Sequence, residues 1–141
     1  MATTTATITL SSSDITDNAL SISNTSTLHT AGTDTGITEF TGIARVKTST
    51  GSNTLLLDFG LTGGVAQDVT ADKSAKVYIK NINDRGDGTK YVDILIKTRE
   101  IGRLYGGDWM FIPYSGGTGE DIEYTASDTT ETILEYGVFY E

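Results

Sequence analysis

The side chains that could carry out acid–base chemistry are few in this chain. The sequence has one histidine, His29, and no cysteine. A serine hydrolase needs a histidine to take the proton of its nucleophile, and its serine often sits in a Gly-x-Ser-x-Gly turn, which this sequence lacks. Because His29 lies in a stretch rich in Ser and Thr, we expect an exposed loop residue and not a catalytic base.

Two pairs of carboxylates have the composition of a glycosidase site: Asp121 with Glu123, and Glu131 with Glu135. Asp121 and Glu123 stand two residues apart in an alternating segment. Side chains at that spacing share one face of a strand, so the two acids mark the solvent face opposite Ile122. We therefore assign no catalytic residue and expect a protein that is not an enzyme.

The turn at residues 83–89 combines Asn, Asp and Gly, as calcium loops do. A calcium loop needs oxygen ligands at alternate positions and a Glu at the twelfth. Counted from Asn83, the third position is Arg85 and the twelfth is Ile94, so the pattern fails. The tripeptide 85–87 reads Arg-Gly-Asp, which integrins recognise, but ordinary turn chemistry explains it. We expect no metal and no cofactor here, while loose calcium binding at other acidic loops stays open.

Aromatic residues cluster from Tyr105 to Tyr124. Three of them, Tyr105, Trp109 and Tyr114, could expose rings to a carbohydrate, because a ring with a polar edge suits a sugar face. Alternation places Trp109 and Met110 on opposite faces of one strand, so at least one of these faces is predicted to be dry. The segment holds the only Trp and the only Pro of the chain. We place the centre of the core here and favour core or subunit interface over a lectin site.

Alternating apolar and polar residues predict strands along most of the chain. Residues 77–82 and 91–96 flank the turn and are predicted to form one hairpin, with Tyr78 and Lys80 facing outward. Residues 39–48 and 53–59 are predicted to form a second one. Few strong helix formers are present, and Thr, Ser and Gly abound.

These patterns predict an all-β fold with little or no helix. The expected architecture is an antiparallel β-sandwich or a jelly-roll-like barrel of roughly eight strands. A chain of 141 residues is long enough for one hydrophobic core, so we predict a single domain over residues 1–141.

Charge and hydropathy limit the partners. The net charge is −9, whereas nucleic acid binding needs clustered Lys and Arg, so nucleic acid is not expected. No apolar run is long enough to cross a bilayer, and the opening residues lack the basic and apolar regions of a secretory signal. We expect no membrane partner.

Both ends of the chain carry candidate contact surfaces. Residues 1–7 are rich in Thr and could form a strand, a disordered tail, or an extended arm that orders against a neighbouring subunit. The closing segment, residues 132–140, is apolar on both faces, which indicates burial by another chain. The predicted interface residues are Thr3, Thr4, Thr5, Thr7, Tyr136, Val138, Phe139 and Tyr140.

Three segments carry a resemblance to a known family: Tyr78–Asn81, Gly107–Gly116 and Ile133–Tyr136. They resemble the closing half of small virion structural proteins of tailed bacteriophages, notably marine and cyanobacterial ones. The resemblance covers Val77–Glu141 and consists of strand patterns, without a chemical signature.

The resemblance implies a non-enzymatic β-sandwich protein that is made in the host bacterial cytoplasm and resides in the virion. We expect a capsid decoration or cement protein that bridges capsid subunits, with the major capsid protein or another virion protein as its partner. A homo-oligomer is expected, with a trimer first, because closed symmetric assemblies match lattice axes. The alternatives are a tail, neck or fibre-associated protein, and a carbohydrate-binding module.

Overall fold

The computed structural model describes residues 3–14, 19–29, 36–37, 39–48, 51–58, 75–86, 88, 90–114, 120–127 and 132–140. In this part of the chain every regular element is a β-strand and all pairings are antiparallel, which confirms the predicted all-β class. The chain divides into two compact units, Met1–Thr38 and Glu39–Glu141. The single domain over residues 1–141 stays a prediction.

Eleven strands occur within the described residues. They are β1 Thr5–Ser12, β2 Leu20–Thr27, β3 Glu39–Phe40, β4 Ala44–Thr48, β5 Thr54–Leu57, β6 Ala75–Asn81, β7 Tyr91–Ile96, β8 Arg99–Tyr105, β9 Trp109–Tyr114, β10 Ile122–Ala126 and β11 Thr132–Tyr140. No helix among these residues has the length and apolarity that a membrane crossing requires.

The first unit contains a two-stranded sheet in which β1 and β2 pair over their whole length, from Thr5 opposite Thr27 to Ser12 opposite Leu20. Just beyond the strands, the Leu28 backbone N–H donates to the Thr4 carbonyl at 2.8 Å. Of the three possibilities for the Thr-rich opening, the structure realises a strand from Thr5 onward. Residues 1–2 of the proposed arm lie outside the described residues.

The second unit contains two sheets. One has the order β3-β11-β6-β9, with β4 also paired to β11, and the other has the order β5-β10-β7-β8. Alternation in each strand sends one set of apolar side chains toward a shared core, which holds residues of both sheets and is consistent with a β-sandwich. The fully buried members include Val77, Ile79, Val92, Ile94, Ile122, Leu134 and Val138.

The two predicted hairpins are wrong. Strand β6 belongs to the five-stranded sheet and β7 to the four-stranded sheet, so the chain crosses from one sheet to the other between them. Likewise β4 pairs with β11, whereas β5 pairs with β10. The inward residues of β6 and β7 are buried in the same core, but they approach it from opposite sheets and not from one face of a single sheet.

A buried asparagine at the end of β6 connects the two sheets. Asn81, at the end of β6, is completely buried, and its Nδ2 donates to the Leu104 carbonyl in β8 at 3.0 Å. Its Oδ1 accepts from the backbone N–H and the side-chain Nδ2 of Asn83 at 3.2 and 2.6 Å. A buried amide must find such partners, because an unsatisfied polar group is expensive in a dry interior. Asn81 therefore ties the end of one sheet to the other.

In the second unit a hairpin joins β7 to β8. Its two central residues, Lys97 and Thr98, have φ of 49° and 65°. Left-handed residues at both positions match the twist of a hairpin, but they are usually Asn or Gly. This turn has neither Asn nor Gly, the residues that mark such turns in a sequence, and β8 was therefore not predicted.

The core is also centred elsewhere than predicted. Trp109 is 52% exposed, so it does not form the heart of the core. Met110 and Ile112, on the opposite face of β9, pack against the core instead. The alternation was predicted correctly, but the apolar face belongs to Met110 and Ile112 while Trp109 points outward.

Candidate interaction surface

The outer face of the five-stranded sheet carries aromatic rings on four different strands. Cross-strand register places Phe139 opposite Phe40, Tyr78 opposite Phe111, and Trp109 opposite Lys80. Residues that lie opposite each other in neighbouring strands project from the same face. We call this surface, formed by Phe40, Tyr78, Trp109, Phe111 and Phe139, the aromatic face.

The phenylalanine rings of the aromatic face are in mutual contact. Phe40 stacks on Phe139 with ring centroids 4.3 Å apart and an interplanar angle of 21°. Phe111 meets Phe139 edge to face, with centroids 6.0 Å apart. The edge-to-face contact is an arrangement that aromatic pairs prefer. The cluster is therefore an ordered group, although Phe40 remains 43% exposed.

A glycine makes room for this stacking. A Cβ atom at Gly137 of β11 would lie 2.8 Å from Cε2 of Phe40, closer than a real Cβ tolerates. The short strand β3 is then fixed by Thr41, whose N–H donates to the Val138 carbonyl and whose Oγ1 accepts from the Val138 N–H, both at 3.0 Å. These contacts hold the Phe40 ring over the backbone of β11.

Polar groups lie beside the rings. Arg45 donates to Glu135 Oε2 through Nε and Nη2 at 3.0 and 2.8 Å, and the Tyr78 hydroxyl donates to Glu135 Oε1 at 3.4 Å. Burial, together with the nearby Glu135 carboxylate, raises the pKa of Tyr78 above its ordinary value, so the hydroxyl keeps its proton. Lys76 and Lys80 alternate with Tyr78 along β6, and neither forms an ion pair within the described residues.

The three aromatic residues predicted as exposed end in different environments. Trp109 is exposed on the aromatic face. Tyr105 is half-buried on the other sheet, edge to face with Tyr91 at 5.6 Å. Tyr114 is buried, which corrects that prediction, and burial with the nearby Glu120 and Asp121 raises its pKa to about 12.

The predicted interface residues also separate. Val138 is completely buried in the core of its own chain and is unavailable for an interface, which corrects the prediction for this residue. Tyr136 and Tyr140 are half-buried against the same core, whereas Phe139 lies on the aromatic face. Thr3, Thr5 and Thr7 are exposed, and Thr4 is half-buried.

Sequence reasoning found some of the aromatic face and missed the rest. Alternation had already pointed Tyr78 outward and had separated Trp109 from Met110. Phe40 carried no such signal, because its strand is two residues long and periodicity needs more. Its partner Phe139 lies at the far end of the chain.

The described residues include some of the candidate catalytic and metal-binding side chains. His29 is exposed and forms a backbone bridge with Gly36. No group of three or more His, Asp or Glu side chains among the described residues is placed to hold a metal ion. Arg85 of the Arg-Gly-Asp tripeptide forms an ion pair with Asp108 at 3.2 Å, and Asp87 and Glu131 lie outside the described residues.

Two of the acids do approach each other. Asp58 follows β5 and Asp121 precedes β10, and the register Leu57 opposite Ile122 sets them side by side. Burial, and then the neighbouring Asp121, raises the pKa of Asp58 above its ordinary value of 3.8. Like charges placed opposite each other destabilise a sheet. This pair is therefore a source of electrostatic strain at neutral pH.

The fold and this surface define an all-β protein with an ordered, partly exposed aromatic face. No family model matches the chain, and no match to it was found among the curated proteins.

Proposed function

We propose that this chain is a non-enzymatic structural protein of a tailed-phage virion, a capsid decoration or cement protein that bridges and stabilises capsid subunits. The observation that carries the proposal is the aromatic face. Its partner is the major capsid protein or another virion protein. A position in the tail, neck or fibre remains within the same proposal, and the test below separates the two locations.

The chemistry of the aromatic face supports a protein partner. Phe40, Phe111 and Phe139 have no hydrogen-bonding group, so they contribute only apolar contact. Interfaces between proteins are enriched in aromatic residues and arginine at their centres. A few buried aromatic side chains commonly supply most of the binding free energy. Exposed rings held in fixed positions lose little side-chain entropy on binding, which favours affinity.

The two-sheet core supplies rigidity to this face. Strands β11 and β6 send Leu134, Val138, Val77 and Ile79 inward, and the same strands send Phe139 and Tyr78 outward. The packed interior therefore fixes the backbone positions that carry these rings. A protein that acts by bridging neighbours under mechanical load needs such a coupling between its contact surface and its core.

The direct test is the protein composition of gradient-purified phage particles from the source culture. Mass spectrometry should recover this chain in the particle fraction, in many copies per particle. Immunogold labelling then locates it on the capsid shell or the tail. If the chain stays in the soluble fraction while the capsid protein sediments, the proposal is wrong.

The role of the aromatic face is tested by rebinding purified variants to particles that lack the protein. The double variant Trp109→Ala/Phe40→Ala should lower occupancy by at least about tenfold, since contacts of this kind contribute about 2 kcal/mol each when they are hot spots. Leu55→Ala is the matched control, because Leu55 is 50% exposed but lies in the four-stranded sheet. Equal losses in both variants would argue against the aromatic face as the contact.

A second candidate function is a carbohydrate-binding module, and the exposure of Trp109 favours it. Trp109 is 52% exposed and lies opposite Lys80, so a flat ring has a hydrogen-bond donor beside it. A glycan array on the purified protein tests this reading. A signal that Trp109→Ala abolishes while leaving the unfolding midpoint unchanged would favour it, and a blank array would favour the structural reading.

A further inference from the structure

The hairpin of the first unit has two chemically distinct faces. Register places on one of them a continuous set of hydroxyl side chains, which we call the hydroxyl face: Thr5, Thr7, Thr9, Ser11, Ser21, Ser23, Thr25 and Thr27. The opposite face carries Ser12, Asn24 and Ser26 together with all the apolar side chains of the two strands, and we call this set of apolar side chains the hairpin apolar face: Ala6, Ile8, Leu10, Leu20 and Ile22. The alternation follows from the period of two in a strand.

The hairpin apolar face is open to solvent. Ile8, Leu10 and Ile22 are 43%, 53% and 48% exposed, and Leu10 lies directly opposite Ile22. An isolated two-stranded hairpin is at best marginally stable in water. Covering these side chains would stabilise the hairpin, because each buried aliphatic side chain contributes a favourable transfer free energy.

The hydroxyl face would not gain comparable stability from burial against a partner. Its side chains hydrogen-bond across the strands, with the Oγ1 atoms of Thr7 and Thr25 2.9 Å apart and Thr9 Oγ1 3.5 Å from Ser23 Oγ. Hydroxyls that are paired or solvated can remain in water. Among the described residues of this unit, the hydroxyl face therefore has hydrogen-bond partners, whereas the hairpin apolar face leaves Ile8, Leu10 and Ile22 exposed.

The distribution of charge along the chain indicates which partner can bury the hairpin apolar face. The chain has a net charge of −9, yet none of the sixteen residues of β1 and β2 is ionisable. Two copies of an acidic chain repel each other, so a contact between copies is most favourable where no charge is present. An uncharged apolar surface is self-complementary, whereas it offers nothing to attract a charged partner.

We propose that the hairpin apolar face is a contact between copies of this chain. Two or more copies bring Ile8, Leu10 and Ile22 together and bury them, and the hydroxyl faces remain in water. The threonines predicted as interface residues, Thr5 and Thr7, point away from this contact. The proposal rests on the first unit alone, so it stands or falls independently of the virion function and of the aromatic face.

Light scattering behind a sizing column tests the proposal on the full chain at several concentrations. The native protein should have the mass of a closed oligomer, and Leu10→Glu should reduce it to the monomer. Thr9→Glu is the matched control, because it adds the same charge at the neighbouring position but on the hydroxyl face, and it should keep the oligomer. The circular dichroism spectrum shows whether each variant is folded.

Leu10→Ser provides a second variant in case the glutamate prevents folding. It removes the apolar side chain without adding charge and matches the hydroxyl residues of the neighbouring positions. The dissociation constant of the oligomer should rise about tenfold or more. A native chain that is monomeric at every concentration would overturn the proposal, and so would dissociation by Thr9→Glu as complete as that by Leu10→Glu.

Discussion

The outer faces of the two sheets in the second unit carry different kinds of side chain. One has a hydrogen-bonded Arg–Asp pair, and the other has a cluster of aromatic rings. On the four-stranded sheet, Arg103 donates to both oxygens of Asp93 at 2.7 and 3.1 Å, and its guanidinium lies 3.8 Å from the centroid of the Tyr91 ring. These hydrogen bonds with Asp93 raise the pKa of Arg103 above its ordinary value. On the five-stranded sheet the corresponding positions carry Phe111, Phe139 and an exposed Trp109.

This difference concerns the two groups of side chains and not every position of the sheets, because Leu55 and Ile101 of the four-stranded sheet are themselves 50% and 43% exposed. The Arg103–Asp93 pair satisfies its own donors and acceptors, so a partner would gain little by replacing those contacts. The aromatic face can still lose apolar surface to a partner, and that loss is favourable. We therefore expect substitutions at the Arg103–Asp93 pair to change stability alone. Substitutions on the aromatic face should change binding as well.

The largest effect is expected where the two sheets are tied together. Asn81→Ala removes the bond to Leu104 and the acceptor of the Asn83 backbone N–H, and it leaves Asn83 Nδ2 with only the Ile133 carbonyl at 3.5 Å, so the free energy of unfolding should fall by about 2–4 kcal/mol. Urea unfolding measures this. Asn53→Ala is the control, since Asn53 is exposed and accepts from Thr125 Oγ1 at 2.7 Å; it should cost below about 1 kcal/mol. Equal costs would show that Asn81 does not tie the sheets.

A smaller effect is expected from disturbing the aromatic face through its backbone. Gly137→Ala places a Cβ against the Phe40 ring, so Phe40 must leave its stacked position on Phe139. We expect a loss of about 1–2 kcal/mol in unfolding free energy and a lower particle occupancy in the rebinding experiment. Gly51→Ala, where the nearest atom would be 3.8 Å from the new Cβ, should change neither quantity. Unchanged occupancy for Gly137→Ala would separate ring stacking from binding.

Substitutions at the Arg103–Asp93 pair of the four-stranded sheet should have a smaller effect, and only on the free energy of unfolding. A double-mutant cycle with Arg103→Ala and Asp93→Ala should give a coupling of about 0.5–1 kcal/mol, because the pair is bidentate but partly exposed. Particle occupancy should match that of the native chain. If either substitution released the protein from particles, both sheets would take part in binding and the contrast between them would disappear.

The smallest effect is expected at the carboxyl pair on the edge of the four-stranded sheet. Because the pKa of Asp58 is raised in the folded state, the ionised form is destabilising above that pKa, and the penalty disappears as the pH falls through it toward 3.8. Asp58→Asn should therefore unfold at a higher denaturant concentration than the native chain at neutral pH. The two midpoints should converge near pH 3.8. A constant gap across this range would mean that the pair does not titrate as described.

Much of the local structure could be predicted from the sequence. The strand at residues 77–81, the strand at residues 91–96 and the inward residues Val77 and Ile94 all follow from period-two alternation, which is a local property of one strand. The pairing of those strands could not be predicted in the same way. An apolar face fits any opposing apolar face, so the pattern alone does not distinguish a hairpin from two strands that face each other across a core.

What the sequence determined by itself is the all-β class, the strands with clear alternation and the side of each strand that faces the core. The tertiary structure decided which strands are neighbours, because β6 pairs with β9 and β11 whereas β7 pairs with β8 and β10, and the turn at Lys97–Thr98 carries no glycine that would have marked its hairpin. It also decided the aromatic face, since Phe40 and Phe139 meet only through the pairing of β3 with β11. Alternation acts over two residues, whereas a surface forms from strands that are distant in the chain.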